Sequence, residues 1–224
     1  MIPRELLATA HIPDQGGELQ LYRHDGDYIF RIHGADLMTS RVHGSEELLA
    51  ELALARLADA GDARVLVGGL GMGFTLATVL RLVGAEARVE VLELIPEVLA
   101  WNHEWLGELN GHPVRDARVS VRQGDVGRCI REARAAYDAI LLDVDNGPEA
   151  LTREGNSRLY SARGLAAARN ALRPGGVLAI WSATNLPWFT DRLRAARFEV
   201  SVERVRARRD KGARQTIWLA SKGA

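Results

Sequence analysis

What most restricts the fold of this chain is an alternation that begins at Arg64 and repeats four more times. Residues 64–67, Arg-Val-Leu-Val, have the apolar, β-branched character of a buried strand. They empty into Gly68-Gly69-Leu70-Gly71-Met72-Gly73 before a helical stretch from Phe74 to about residue 82. The unit recurs as a strand at 88–93 with a helix from Pro96, well placed at a first helical position, to 105. It recurs again as strand 118–122 ending in Gly124-Asp125 with helix 126–134, strand 137–143 with helix 162–172, and strand 177–181 with helix 188–196. Strands separated by helices pair in parallel and are covered on both faces, so the pattern predicts an α/β, doubly wound, mostly parallel Rossmann-like sheet. A hairpin, 198–206 against 215–220, completes seven strands. Ahead of this unit, residues 18–23 and 28–32 alternate with a period of two across Asp25-Gly26-Asp27, the pattern of a β-hairpin. Ser45 reads as an N-cap with Glu46 and Glu47 in the first turn of a helix reaching about residue 60. The expected organisation is a small N-terminal β region, 1–44, and an α/β domain, 45–224.

Charge and cysteine usage remove several classes of function. Basic and acidic side chains number 29 each and the isoelectric point is near 7.0, so neither a nucleic-acid footprint nor an acidic tail is expected. The run Arg204-Val205-Arg206-Ala207-Arg208-Arg209 alternates as the exposed face of an edge strand would. Cys129 is the single cysteine; it excludes an internal disulfide and a four-thiol zinc site, suits a reducing compartment, and reads as core. The six histidines show neither H-x-H nor H-E-x-x-H spacing, and no metal is expected. An acid and a proline interrupt the start, Met1-Ile-Pro-Arg-Glu, and no window reaches roughly 18 uncharged apolar residues. The expectations are no export by a standard signal, no membrane partner, a cytoplasmic location and a homodimer.

Open parallel sheets bind ligands beyond the carboxyl ends of their strands, and that is where the polar residues of this chain collect. Gly69-Leu70-Gly71-Met72-Gly73 lets backbone approach a ligand, or simply packs strand on helix. Glu93, at the next strand end and twenty residues after Gly73, stands where a carboxylate accepts both hydroxyls of a ribose. Asp125, after Gly124, is placed either to accept from the exocyclic amine of adenine or to cap the following helix. Asp143-Val144-Asp145-Asn146 follows the fourth strand, facing the reacting end of a ligand laid across the sheet; Asp143 and Asp145 are the candidate catalytic acids. Trp181 and Trp188 lie near this edge as packing or as a pocket wall, and His43 precedes the helix of residue 45 as a surface residue.

Together with residues 137–143, Leu159-Tyr160 and residues 172–178 (Leu-Arg-Pro-Gly-Gly-Val-Leu), these motifs resemble the spermidine synthases, or polyamine aminopropyltransferases, of the class I methyltransferase-like superfamily. The resemblance covers nearly the whole chain. It implies S-adenosylmethionine or its decarboxylated form as group donor, held by Gly69, Leu70, Gly71, Gly73, Glu93, Gly124 and Asp125. It further implies a small-molecule amine acceptor met by Asp143 or Asp145, and transfer of an aminopropyl or a methyl group. Three positions depart from the family. Met72 replaces the glycine-loop aspartate, Gly44-Ser45-Glu46 replaces Tyr-His-Glu, and Asn146 or Asp145 falls where the second acid of D-x-x-D belongs. A non-catalytic nucleoside-binding protein that kept the fold is the alternative expectation; a nicotinamide dehydrogenase would leave Asp125 and Asp143 without a role.

Overall fold

The computed structural model describes residues 3–13, 17–144, 147–148, 158–208 and 211–223. The α/β part contains strands β5 (Arg64–Gly68), β6 (Arg88–Glu93), β7 (Val119–Gln123), β8 (Tyr137–Leu142), β9 (Leu172–Ser182), β10 (Glu199–Arg208) and β11 (Lys211–Ser221). Its helices are α1 (Gly44–Leu54), α2 (Phe74–Leu82), α3 (Pro96–Glu104), α4 (Val126–Glu132), α5 (Ala162–Ala171) and α6 (Pro187–Ala195). The strand order is β10-β11-β9-β8-β5-β6-β7, with β5 to β9 parallel. β11 is antiparallel to β9 and β10 antiparallel to β11, so β10 runs with the parallel set and ends on the same edge.

Side-chain alternation explains why both sheet faces are covered. Val65, Val67, Val89, Val91, Ala139 and Leu141 point to one face and share a core with α1, α2 and α3. Leu66, Leu92, Ile140 and Leu142 point to the other and pack with α4, α5 and α6. Chain order reverses between β5 and β8, which opens a crevice at their carboxyl ends.

The expected N-terminal hairpin is the centre of a larger antiparallel sheet of β1 (Glu5–Ile12), β2 (Gly17–His24), β3 (Asp27–Ile32) and β4 (Ala35–Thr39). β1 buries only Ala10 and Ile12, and β4 buries no residue fully, so neither carries a strong two-residue pattern. This sheet joins the first core through Leu19, Leu21, Phe30 and Ile32, and the Phe30 ring meets Trp101 of α3 at 5.6 Å.

Three local expectations are corrected. His43, not Ser45, is the residue before α1; Ser45 lies inside the helix and its hydroxyl donates to the Glu46 carboxylate at 2.5 Å. The helix stops near residue 54 because the N–H groups of Arg56 and Leu57 bond three residues back, closing the last turn in 3-10 fashion. β9 starts at Leu172 rather than 177, its Pro174-Gly175-Gly176 segment absorbed as an irregularity between the Tyr137–Leu172 and Ala139–Val177 pairs. Two further readings agree. Arg204, Arg206 and Arg208 are exposed and Val205 and Ala207 buried along the edge strand β10, and Cys129 packs beside the second core with its sulfur 3.4 Å from the Tyr137 hydroxyl. Among the described residues, no helix is long and apolar enough to cross a membrane.

Phe30 couples the two sheets, being 2% exposed. Phe30→Ala is expected to cost about 3–5 kcal/mol, the range for large-to-small aromatic truncation in a core. Urea unfolding measures it, and a loss below about 1 kcal/mol would show that the N-terminal sheet is not part of the same cooperative unit.

Candidate active site

The site is built on the turn after β5. Gly69 has φ +88°, and a Cβ there would run into the backbone carbonyl of Asp143 after β8. The close approach is fixed by two backbone bonds: Asp143 N–H donates to the Gly68 carbonyl and Gly69 N–H to the Leu92 carbonyl, both 2.9 Å. The ends of β6, β5 and β8 are thereby knitted together. Side chains from the region after β6 hold the rest of the turn. Asn102 Nδ2 donates to the Gly71 and Val98 carbonyls, and Asn110 Nδ2 to the Met72 carbonyl, each at 2.9 Å. α2 starts directly after Gly73, so its N-terminus opens at the loop.

Glu93 is buried, with one carboxylate oxygen accepting from Leu70 N–H and the other from Ile95 N–H, both at 2.9 Å. The backbone N–H groups of Leu94 and Gly71 act on the same carboxylate. Burial raises its pKa, and the backbone N–H donors act against that rise by favouring the charged form. Asp125 caps α4, its Oδ1 accepting from Gly127 N–H at 2.7 Å, and also lines the cavity.

At the end of β8, the half-buried Asp143 accepts the Thr75 hydroxyl at 2.6 Å. Burial raises the pKa of Asp143 and the Thr75 bond lowers it. Glu46, on the first turn of α1, faces the same cavity, and its backbone carbonyl lies 3.4 Å from the Thr75 hydroxyl. Its carboxyl is pushed up to about 7, first by burial and then by the charge of Asp143, against the Ser45 hydrogen bond.

These groups border one cavity of about 530 Å³ along the strand ends, roofed by β4 through Leu37 and Met38. Of the residues expected at the site, Gly69, Gly71, Glu93, Gly124, Asp125 and Asp143 line it. Leu70 contributes only its N–H to Glu93, its side chain being buried, and Gly73 sits beneath Asn102 and Asn110. Asp145 lies outside the described residues. Trp181 is a wall of the cavity, whereas Trp188 is on the surface with the Arg192 guanidinium 4.7 Å above its ring. Met72 is fully buried in the core. His43 stacks on Phe74 at 4.1 Å beside a separate cavity. Glu46, Thr75, Asn102 and Asn110 were not singled out as site residues by the sequence. A threonine inside the mostly apolar helix α2 was the available signal for Thr75.

Glu46 makes stability depend on pH in a stated direction. Its folded pKa of about 7 exceeds the ordinary value of 4.5, so the folded state holds a proton that the unfolded chain has released across this window. Stability therefore falls as pH rises from about 4.5 to 7. Glu46→Gln removes this contribution, and the variant should be more stable than the parent at pH 8 by on the order of 3 kcal/mol while matching it near pH 4. Urea midpoints at the two pH values test this; an equal offset at both would contradict it.

Comparisons with known proteins find relatives of this chain. The chain is 39% identical over 145 residues to polyamine aminopropyltransferase 2 of Streptomyces coelicolor, covering 62% of this chain and 25% of that protein. It is 32% identical over 123 residues to the polyamine aminopropyltransferase of Nitrosomonas europaea, covering 54% and 35%. The chain thus spans about a quarter to a third of the length of these relatives. Among solved structures, a spermidine synthase in complex with the transition-state analogue AdoDATO superimposes with a TM-score of 0.79 at 19% identity, over 97% of this chain and 74% of that one. The spermidine synthase of Thermotoga maritima gives 0.77 at 18%, over 97% and 73%. Both likenesses are in fold. The family model described as the spermine/spermidine synthase domain matches residues 43–203, from the residue before α1 into β10, and the chain belongs to that family.

Proposed function

We propose that this chain is an aminopropyltransferase, which binds decarboxylated S-adenosylmethionine beside a primary amine and moves the aminopropyl group from sulfur to nitrogen. The observation that carries the reading is the sign of the charge around the cavity. From β8 to β7 it is lined by Glu46, Asp143, Glu93 and Asp125, and no basic side chain among the described lining residues belongs to that stretch. Such a wall favours a sulfonium and an ammonium. It disfavours the amino-acid carboxylate of ordinary S-adenosylmethionine, which would lie against Glu46 and Asp143. With Met72 turned into the core, Glu46 takes over the position of an acid near the transferred group.

Glu93 accepts the ribose hydroxyls, and Gly124-Asp125 borders the base. Asp143, at the crevice between β5 and β8, faces the reacting atoms. An amine attacks only with its lone pair free, so its extra proton must leave. Burial raises the basicity of Asp143, which suits it to take that proton, while Thr75 holds the carboxylate in one orientation. The amine nitrogen then bonds to the propyl carbon next to sulfur, the carbon–sulfur bond breaks with its electron pair going to sulfur, and neutral methylthioadenosine leaves. The protein's contribution is alignment of the two substrates together with this proton transfer. A cytoplasmic homodimer belongs to the same reading.

Two variants separate binding from transfer. Asp143→Asn should lower turnover about a hundredfold or more and leave methylthioadenosine affinity nearly intact. Glu93→Ala should weaken methylthioadenosine by about 2 kcal/mol, or roughly thirtyfold, as for hydrogen bonds to a charged group. Calorimetry and an amine-transfer assay on both variants make the test. Parent-like values in both assays would end the assignment of these residues.

A further inference from the structure

Glu46 and Asp143 come from elements far apart in the chain, yet both border the same stretch of the cavity. One side chain joins them. The Thr75 hydroxyl, in the first turn of α2, donates to the Asp143 carboxylate at 2.6 Å and lies 3.4 Å from the Glu46 backbone carbonyl. The Glu46 carboxylate is buried and held by the Ser45 hydroxyl at 2.5 Å. Neither acid forms an ion pair with a described residue, and the charges around them do not offset the pair. Glu47 on the same helix is engaged by His43 at 3.1 Å, Glu93 and Asp125 lie further along the cavity, and Arg208 is on β10, three strands from β8. Two carboxylates facing one low-dielectric cavity with no cation between them are costly to ionise together. One of them keeps its proton instead. Burial and the charge of Asp143 push the Glu46 carboxyl up to about 7, whereas the Thr75 hydroxyl favours the ionised form of Asp143.

We propose that Glu46 and Asp143 act as a pair that holds one proton in the free protein, and that the positively charged donor displaces this proton to solvent as it binds. The identity of the cation rests on the aminopropyl-transfer reading. Position favours the donor over the acceptor as the displacing ligand. Thr75 stands two residues after Gly73, so the pair abuts the glycine turn, and whatever the donor carries beyond its ribose lies against the two acids. Displacement leaves both carboxylates ionised beside the sulfonium and the ammonium. Asp143 is then unprotonated, as a base that is to take a proton from the amine must be. That transfer puts one proton back on the pair while the carbon–sulfur bond breaks, so the resting charge is restored as the neutral product forms. The one proton that each turnover liberates has left already, at donor binding. Binding the correct charge thus readies the base, and losing that charge resets it.

The full chain is titrated calorimetrically at pH 6 with decarboxylated S-adenosylmethionine and with methylthioadenosine, each in phosphate and in imidazole, whose heats of ionisation differ. The difference in enthalpy between buffers counts the protons released. The donor should release about one proton more than methylthioadenosine. Both ligands carry the ribose, so any change at Glu93 cancels in that difference. The ratio of donor to methylthioadenosine affinity should rise at least about tenfold from pH 5.5 to 7. Glu46→Gln should release no extra proton and hold the ratio constant across that range. Asp143→Asn should release clearly less than the parent, because Glu46 has lost the neighbouring charge. The proposal is overturned if the donor does not bind the parent, if it binds without the extra proton, or if Glu46→Gln keeps the release. It is overturned equally if the proton leaves only when 1,4-diaminobutane is added to the methylthioadenosine complex, which would make the acceptor the displacing cation. Aminopropyl transfer without proton release on donor binding would overturn the pair and leave the transfer reading standing. Glu46-dependent release without transfer would uphold the pair and count against that reading.

Discussion

The backbone of Gly69 passes so close to that of Asp143 that no side chain fits between them, and the rest of the site depends on this contact. It brings the ends of β5 and β8 together at the point where the chain order of the sheet reverses. With β6 tied in through the Gly69–Leu92 bond, Glu93, the glycine turn and Asp143 have to face one cavity. The asparagines of the segment after β6 keep the turn in shape by occupying its carbonyls, leaving the N–H of Leu70 for Glu93. The left-handed conformations at Gly69 and Gly73 are thus part of a hydrogen-bonded frame rather than loose loop geometry.

Acids occupy the stretch of the cavity from β8 to β7. Glu46 and Asp143 raise one another's cost of ionisation when no cation lies between them, and a bound ammonium or sulfonium would relieve both. Burial that is unfavourable in the free protein is in this way turned toward a positively charged ligand.

The strand-end residues were legible in the sequence because a parallel sheet with helical crossovers delivers each strand to the same edge, so Gly69, Glu93, Asp125 and Asp143 could be located by counting strands. Asp125 serves the capping role weighed for it and faces the cavity as well. Glu46 was hidden because an acid in a first helical turn is explained by the helix dipole alone, and its approach to Asp143 spans almost a hundred residues of chain. Asn102 and Asn110 act on backbone carbonyls, which leave no pattern in a sequence. Arg208 read as part of a charged edge, which it is. β1 and β4 escaped because their burial is too uneven to mark a face.

The most direct test of the account is product analysis by mass spectrometry. The protein is incubated with decarboxylated S-adenosylmethionine labelled in its propyl carbons and with a panel of primary amines. The account requires one methylthioadenosine for each amine that gains the labelled aminopropyl group. Methylthioadenosine released without a labelled amine, or an amine that instead gains a methyl group from S-adenosylmethionine, would contradict it.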